Sequence, residues 1–433
     1  MKRKMSDRKS RQVGGGVLSR REFLGTLSAA TVAVAVPASG AAAPAKAPAR
    51  GGRTLKIGHI TPRTGFIGQS GAYAAMGINL AVDEWNAKAK PGTVKFEVIA
   101  EDSVNPGVAI QKATKLIEKD KVDFIFGEMS SASALAIMQV AQKFKKLYFN
   151  TGANSDELRQ AKCNRYAFHV ESSNSQMILP VGRYLVKNKK INRWYFITPD
   201  YTYGYDCYNL ASGILKKEGG TNLGQDLVPT GTSDFSSYIL KIKAANPDLV
   251  FTSLAGNDMA LFVKQFNEFG LTCDLALSHM ETVSVWSTGK EALKGIGMAV
   301  YYYRLPGAEN EGLVNRFYNK FGKPPDDNVW KEFIALRALT LAMEKTGGTD
   351  TNKIIEFLES GYEFDIMKSR KGRFTPYDHQ LLMEMYLLKP KPKDKITDAW
   401  DLVDIESVQP EPTEPLEAIH ITKEDNKCTF PAL

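Results

Sequence analysis

Short apolar runs that alternate with helical patterns constrain this chain more than any other feature. Residues 55–60, 94–101, 122–127 and 147–150 are near-continuous apolar stretches of strand length, and helix-period segments at 72–87, 107–119 and 131–145 separate them. Strands that are apolar at nearly every position belong in a parallel sheet covered on both faces, and helices between them supply the crossovers. Asp102 to Pro106 cap the second helix, with a proline and a polar cap at its start, the combination that a helix start favours. A second set repeats the logic: helices at 176–187, 205–218, 234–245 and 259–269 interleave with strands at 194–198, 249–253 and 275–277. The extended polar stretch 170–175 is the expected crossing between the two sets. The chain then returns at a strand over 298–303 and continues through helices at 309–321, 329–345 and 352–359, with a last strand at 383–388. The expectation is an α/β protein of two Rossmann-like lobes with parallel sheets joined by three hinge segments. Lobe 1 takes 53–172 plus 298–375, and lobe 2 takes 173–297 plus 376–400. Residues 401–433 form a C-terminal tail, its Pro-rich part at 409–415 extended on the surface.

A chain of 433 residues is long enough for two cores. Its formal charge of +8 suggests an acidic partner, but the charge is concentrated at one end. Residues 1–43 hold eight Lys/Arg and two acids, so the remainder carries 48 basic and 46 acidic residues, a net of +2. Nucleic-acid binding therefore loses its electrostatic footing. The basic end reads as a twin-arginine signal peptide over 1–43: Ser19-Arg20-Arg21-Glu22-Phe23-Leu24 precedes a weakly apolar stretch, and small residues at 38–43 offer peptidase sites. That stretch is shorter than the roughly 20 residues a membrane-spanning helix needs. A linker over 44–52 follows, and the cleaved protein is expected in the periplasm. Cys163, Cys207, Cys273 and Cys428 include no C-x-x-C pair, and none of the five histidines forms H-x-x-x-H, so neither a metal site nor a cofactor is expected. In an oxidising compartment one or two disulfides fit these four cysteines, in any of three full pairings. No G-x-S-x-G, H-E-x-x-H or phosphate-loop motif is present, so no enzyme activity is expected.

The run Leu55-Lys56-Ile57-Gly58-His59-Ile60-Thr61-Pro62 with Thr64-Gly65 resembles the opening of branched-chain-amino-acid-type periplasmic binding proteins (the Leu/Ile/Val-binding family, type I fold). The likeness continues in register. Ala81-Val82-Asp83-Glu84, Glu101-Asp102 with Asn105-Pro106, and Lys121-Val122-Asp123 carry its first part. Ser130-Ser131, Gly152-Ala153, Tyr203-Gly204, Asp234-Phe235-Ser236 and Asn246-Pro247-Asp248 extend it, so that about 55–390 is covered. The resemblance implies a substrate-binding protein of an ABC transporter, a monomer, that captures an amino acid or related small polar solute by hinge closure and delivers it to permease subunits. A free-standing periplasmic ligand sensor of the same fold is the alternative.

Resemblance also assigns the cleft. An amino acid presents an anion, a cation and a side chain. Ser130 and Ser131 stand where a strand ends and a helix begins, where hydroxyls and unpaired N–H groups suit a carboxylate. Ser131 matches the family's hydroxyl donor, and the plain alternative for it is a helix N-cap. Gly152 and Ala153 match backbone contacts, and Asn154 stands where a threonine is usual. Glu281 matches the ammonium-binding carboxylate, and Tyr203 a ligand-contacting tyrosine of the second lobe, whereas Tyr201, Tyr205 and Tyr208 are expected to pack. Ala255 and Ser70 replace aromatic residues of many relatives, which leaves room for polar amino acids, short amides, urea or aromatic acids.

Overall fold

In the computed structural model the described residues are 52–431, except 91 and 190. The segment read as signal peptide and most of the linker lie outside them. Strand β1 (Thr54–Thr61), helix α1 (Gly68–Lys88), β2 (Lys95–Asp102), α2 (Pro106–Glu118), β3 (Phe124–Gly127), α3 (Ser131–Lys143), β4 (Tyr148–Asn150) and β5 (Ala167–His169) build the first lobe. Its sheet runs β2-β1-β3-β4-β5, every pair parallel. Asn105 caps α2 by accepting a bond from the Val108 N–H at 3.0 Å, as its sequence position suggests. Phe126, Phe149 and Phe168 occupy neighbouring strands with ring centroids 5.0 and 6.0 Å apart. Each is fully buried, worth about 2–3 kcal/mol of transfer free energy.

The second lobe opens with α4 (Asn174–Lys189) and continues through β6 (Arg193–Pro199), α5 (Thr202–Lys217), β7 (Thr221–Val228), α6 (Ser236–Ala245), β8 (Leu249–Thr252), α7 (Gly256–Glu268), β9 (Asp274–His279), α8 (Thr282–Thr288) and β10 (Ile296–Ala299). Helices α9 (Ala308–Phe321), α10 (Asp327–Thr346) and α11 (Thr351–Glu359) return to the first lobe. There Arg316 pairs with Glu84 of α1 at 2.6 Å, and Phe317 stacks on Tyr73. A short ribbon of β11 (Arg373–Phe374) and β12 (Leu381–Leu382) precedes β13 (Met385–Pro390) and β14 (Val403–Gln409). The second sheet has the order β14-β13-β10-β9-β8-β6-β7, with β13 and β14 added antiparallel. Up to β14 the chain thus passes three times between two mainly parallel sheets, the expected architecture.

Several details differ from the sequence reading, three of them in the second sheet. The strand expected at 298–303 as the start of a first-lobe segment is β10, and it pairs with β9 and β13 in the second sheet. Residues 401–409 are not a free tail, because Val403–Gln409 closes the edge of that sheet. Strand β7 was not foreseen: it is a polar edge strand, exposed or half-buried along most of its length, and so lacks the apolar run that marks its neighbours. Beyond β14 the chain reaches back to the first lobe, where Cys428 is disulfide-bonded to Cys163. Cys207 and Cys273 are free.

Candidate functional site

Both sheets change winding direction at one point, between β1 and β3 in the first and between β6 and β8 in the second. In open parallel sheets the loops after such strands leave a crevice at the carboxyl ends. Here the two crevices face each other. The cleft has about 560 Å³ of empty space, open solvent included, and nearly all its walls come from residues just past strand ends. Ile67 and Ser70 follow β1, Met129 follows β3, Gly152 and Asn154 follow β4, and Glu171 follows β5. From the other lobe Tyr201 and Tyr203 follow β6, Leu254, Ala255, Gly256 and Met259 follow β8, and His279, Glu281 and Ser284 come from the end of β9 and beyond. Asn328 and Lys331 enter from the first two turns of α10.

Ser70, Gly152, Asn154, Tyr203, Ala255 and Glu281 therefore share one cleft. Ser130, Ser131 and Ala153 are not among its lining residues, although their neighbours Met129, Gly152 and Asn154 are. The reason lies in their partners. Ser131 Oγ accepts from the Ser155 N–H at 3.2 Å, and the N–H groups of Met129 and Ser130 both donate to Glu128 Oε1 at 2.9 Å. Glu128 thus takes the Ser130 N–H, one of the donors expected to hold an anion, while Ser131 Oγ is used as an acceptor. Burial pushes the Glu128 carboxyl up to about 7. Ala153 is fully buried, its N–H donating to Asn150 Oδ1 at 2.9 Å and its carbonyl accepting from Asn150 Nδ2 at 2.7 Å. Buried Arg159 ties this loop to the hinge by donating to the carbonyls of Ala153, Ser155 and Glu171.

On the second-lobe side, Tyr203 is buried, its hydroxyl 2.8 Å from Ser278 Oγ. Tyr201, expected only to pack, also lines the cleft, its ring 5.9 Å from Tyr203 and 6.1 Å from Phe66 of the first lobe. Glu281 precedes α8, accepting from Ser284 Oγ at 3.0 Å and from Asn328 Nδ2 at 2.7 Å. The lobes meet over the cleft: Asn257 N–H donates to Phe66 O at 2.9 Å, and Ser287 Oγ to Gln69 Oε1 at 2.8 Å.

Sequence reasoning missed Glu171, His279, Asn328 and Lys331. Lys331 Nζ bonds to Glu171 Oε2 and, at 3.1 Å, to Asp327 Oδ2. Burial works against the Lys331 charge, but Asp327 and Glu171 outweigh it and hold the ammonium above its ordinary range. Asp327 is likewise opposed by burial and held low by Lys331 and His279. The available signal was Asp326-Asp327-Asn328 with Lys331-Glu332 at the head of an otherwise apolar helix. Glu281, Asp326 and Asp327 bring carboxylate oxygens within 4.8 Å of one another, a donor set of the kind that holds a cation. Protein donors already engage it, Lys331 on Asp327 and the Asn328 amide between Glu281 and Asp326.

Two α/β lobes joined by three crossings, with a cleft walled by strand ends, constitute the type I periplasmic binding protein fold. The chain belongs to the periplasmic binding protein family, whose sequence profile matches residues 54–395. A Leu/Ile/Val-binding protein homolog 7 of Brucella suis biovar 1 (strain 1330) is 26% identical over 342 residues, 75% of this chain and 85% of that one. A periplasmic binding protein from Burkholderia mallei superposes with a TM-score of 0.80 at 26% identity, over 87% of this chain and 98% of the other. A branched chain amino acid ABC transporter periplasmic ligand-binding protein from Burkholderia xenovorans LB400 gives 0.74 at 25% identity, over 86% and 99%. The family binds small molecules and works with ABC transporters, and these relatives are binding proteins rather than enzymes.

Proposed function

We propose that the protein captures an amino acid or closely related amine-bearing solute outside the cytoplasmic membrane, closes on it by hinge bending, and presents the closed form to an ABC permease. The observation that carries this reading is Glu281, a cleft carboxylate whose partners, Asn328 and Ser284, are neutral donors. A partly buried carboxylate is favourable only when paired, and a ligand ammonium supplies the missing charge. The opposite wall offers the Ser70 hydroxyl, the Gly152 backbone and the Asn154 side chain to the remainder of the ligand. Tyr201, Tyr203, Leu254 and Met259 provide apolar surface for its side chain. A ligand that touches both lobes stabilises the arrangement in which they meet. Export by the twin-arginine signal of residues 1–43, followed by cleavage, would place the protein where such a capture step is needed.

A thermal-shift screen of the chain without residues 1–43 against amino acids, amides and small organic acids tests the reading, because a ligand that binds only the native state raises its melting temperature. Amino acids are expected to raise it. A screen in which no amine-bearing solute does so refutes the proposal. The alternative, a free-standing sensor, shares the capture step and differs in its partner. Binding of the ligand-loaded protein to permease subunits in detergent separates the two.

A further inference from the structure

We propose, on top of the capture reading, that the cleft selects solutes carrying an ammonium and no net negative charge, and rejects anions, because its one lysine is a masked cation. Among the described residues lining the cleft, Lys331 is the only Lys or Arg. It is unavailable to a ligand carboxylate: Lys331, Glu171 and Asp327 are each about 1% exposed, and the ammonium is held by both acids. His279 lies on the other flank of the same group, its Nε2 3.4 Å from Asp327 Oδ2. Burial disfavours a charged His279, but Asp327 outweighs it and moves the ring toward the protonated form. The Lys331 charge is thus taken up by Glu171 and Asp327 within the protein.

What remains is Glu281. Its partners carry no charge, and the wall facing it from the first lobe consists of Ser70, Gly152 and Asn154, which carry none either. Asp326, behind it, accepts from the same Asn328 amide at 2.7 Å. Burial, with the carboxylates of Asp327 and Glu281, pushes the Asp326 carboxyl well above its ordinary range. Among the described residues no Lys, Arg or His forms an ion pair with Glu281, so the cleft presents a carboxylate that a ligand cation can meet. An ammonium offsets it, whereas a ligand with only a carboxylate meets like charge and has no free cation to bond. Like-charge juxtaposition of this kind costs enough to discriminate by a factor on the order of a hundred.

Isothermal calorimetry on the chain without residues 1–43 tests this with leucine, ornithine, glutamate and benzoate as probes. Leucine and ornithine are expected to bind about a hundredfold tighter than benzoate, with glutamate weaker than leucine. Glu171→Gln removes one of the two acids masking Lys331, so the ratio of benzoate to leucine affinity should rise about tenfold or more. If that variant does not fold, Glu281→Gln supplies the second arm: deleting the Glu281 charge should shift the same ratio toward benzoate. Benzoate or glutamate binding the wild-type protein within about tenfold of leucine and ornithine overturns the charge selection while leaving solute capture standing. Failure of all four probes to bind overturns both.

Discussion

Replacing Gly256 by alanine probes how the two lobes come together. Gly256 is the first residue of α7, with φ of 55°, and a Cβ built on it falls 2.1 Å from the carbonyl oxygen of Phe66, where real Cβ atoms do not approach within 3.0 Å. Phe66 lies on the other lobe, and the same carbonyl accepts from the Asn257 N–H at 2.9 Å. Alanine in this left-handed conformation costs about 1 kcal/mol whether the lobes are open or closed, and that cost cancels from binding. The clash exists only when the lobes meet. Relieving it forfeits the Asn257–Phe66 hydrogen bond, about 1 kcal/mol, and a similar amount from ligand contacts on the displaced wall. Together, roughly 2 kcal/mol corresponds to an affinity loss of about thirtyfold. Calorimetry with the tightest solute from the screen reads the loss directly. Asn257→Ala, which keeps the backbone donor, serves as the control and should stay within about threefold of wild type. A Gly256→Ala protein that binds within about twofold of wild type would refute closure through this contact.

Glu281→Gln keeps the hydrogen-bond geometry but removes the charge, so affinity for amino acids should fall by about tenfold or more in calorimetry; unchanged affinity removes Glu281 from the ammonium site. Asp206 of α5 meets Asp156 of the first lobe, accepting its N–H at 2.6 Å, and burial together with Asp156 pushes the Asp206 carboxyl up to about 7. Unfolded aspartate titrates near 4, so the folded state retains a proton between about 4 and 7, and stability falls as pH rises through that window before levelling off. Asp206→Asn should therefore melt higher than wild type at pH 8, with the difference disappearing near pH 4; a constant difference would contradict the assignment. The Cys163–Cys428 bridge spans 265 residues of sequence. Cys428→Ser should lower the melting temperature by several degrees, from a typical disulfide contribution of about 2–4 kcal/mol, and an unchanged melting curve would show that the C-terminal segment is held by its other contacts.

The parts of the fold legible in the sequence were those where one periodicity dominates a local window. Strands β1, β3 and β8 are near-continuous apolar runs because helices cover both of their faces, and their pattern suffices to place them. Strand β7 alternates with polar residues at an edge, β5 has three residues, and β14 sits beside a Pro-rich stretch, so each is defined by the neighbour it pairs with. The cleft divides in the same way. Ser70, Tyr203, Ala255 and Glu281 follow strands or open helices that pattern had already located. Lys331 and Glu171 are 160 residues apart, and only the return of α10 to the first lobe brings them together. Their charges look solvent-bound in the sequence and are almost wholly buried in the fold. The use of the Met129 and Ser130 N–H groups has a similar origin, because their acceptor, Glu128, is an ordinary loop acid until the chain folds around it.

Small-angle X-ray scattering of the chain without residues 1–43, with and without a solute that raises its melting temperature, tests the hinged-capture claim most directly. Closure predicts a smaller radius of gyration in the loaded state and a solution profile matching the closed arrangement, in which Asn257 meets Phe66. Identical profiles at saturating solute would contradict it, since a cleft walled by both lobes would then be filled without drawing them together.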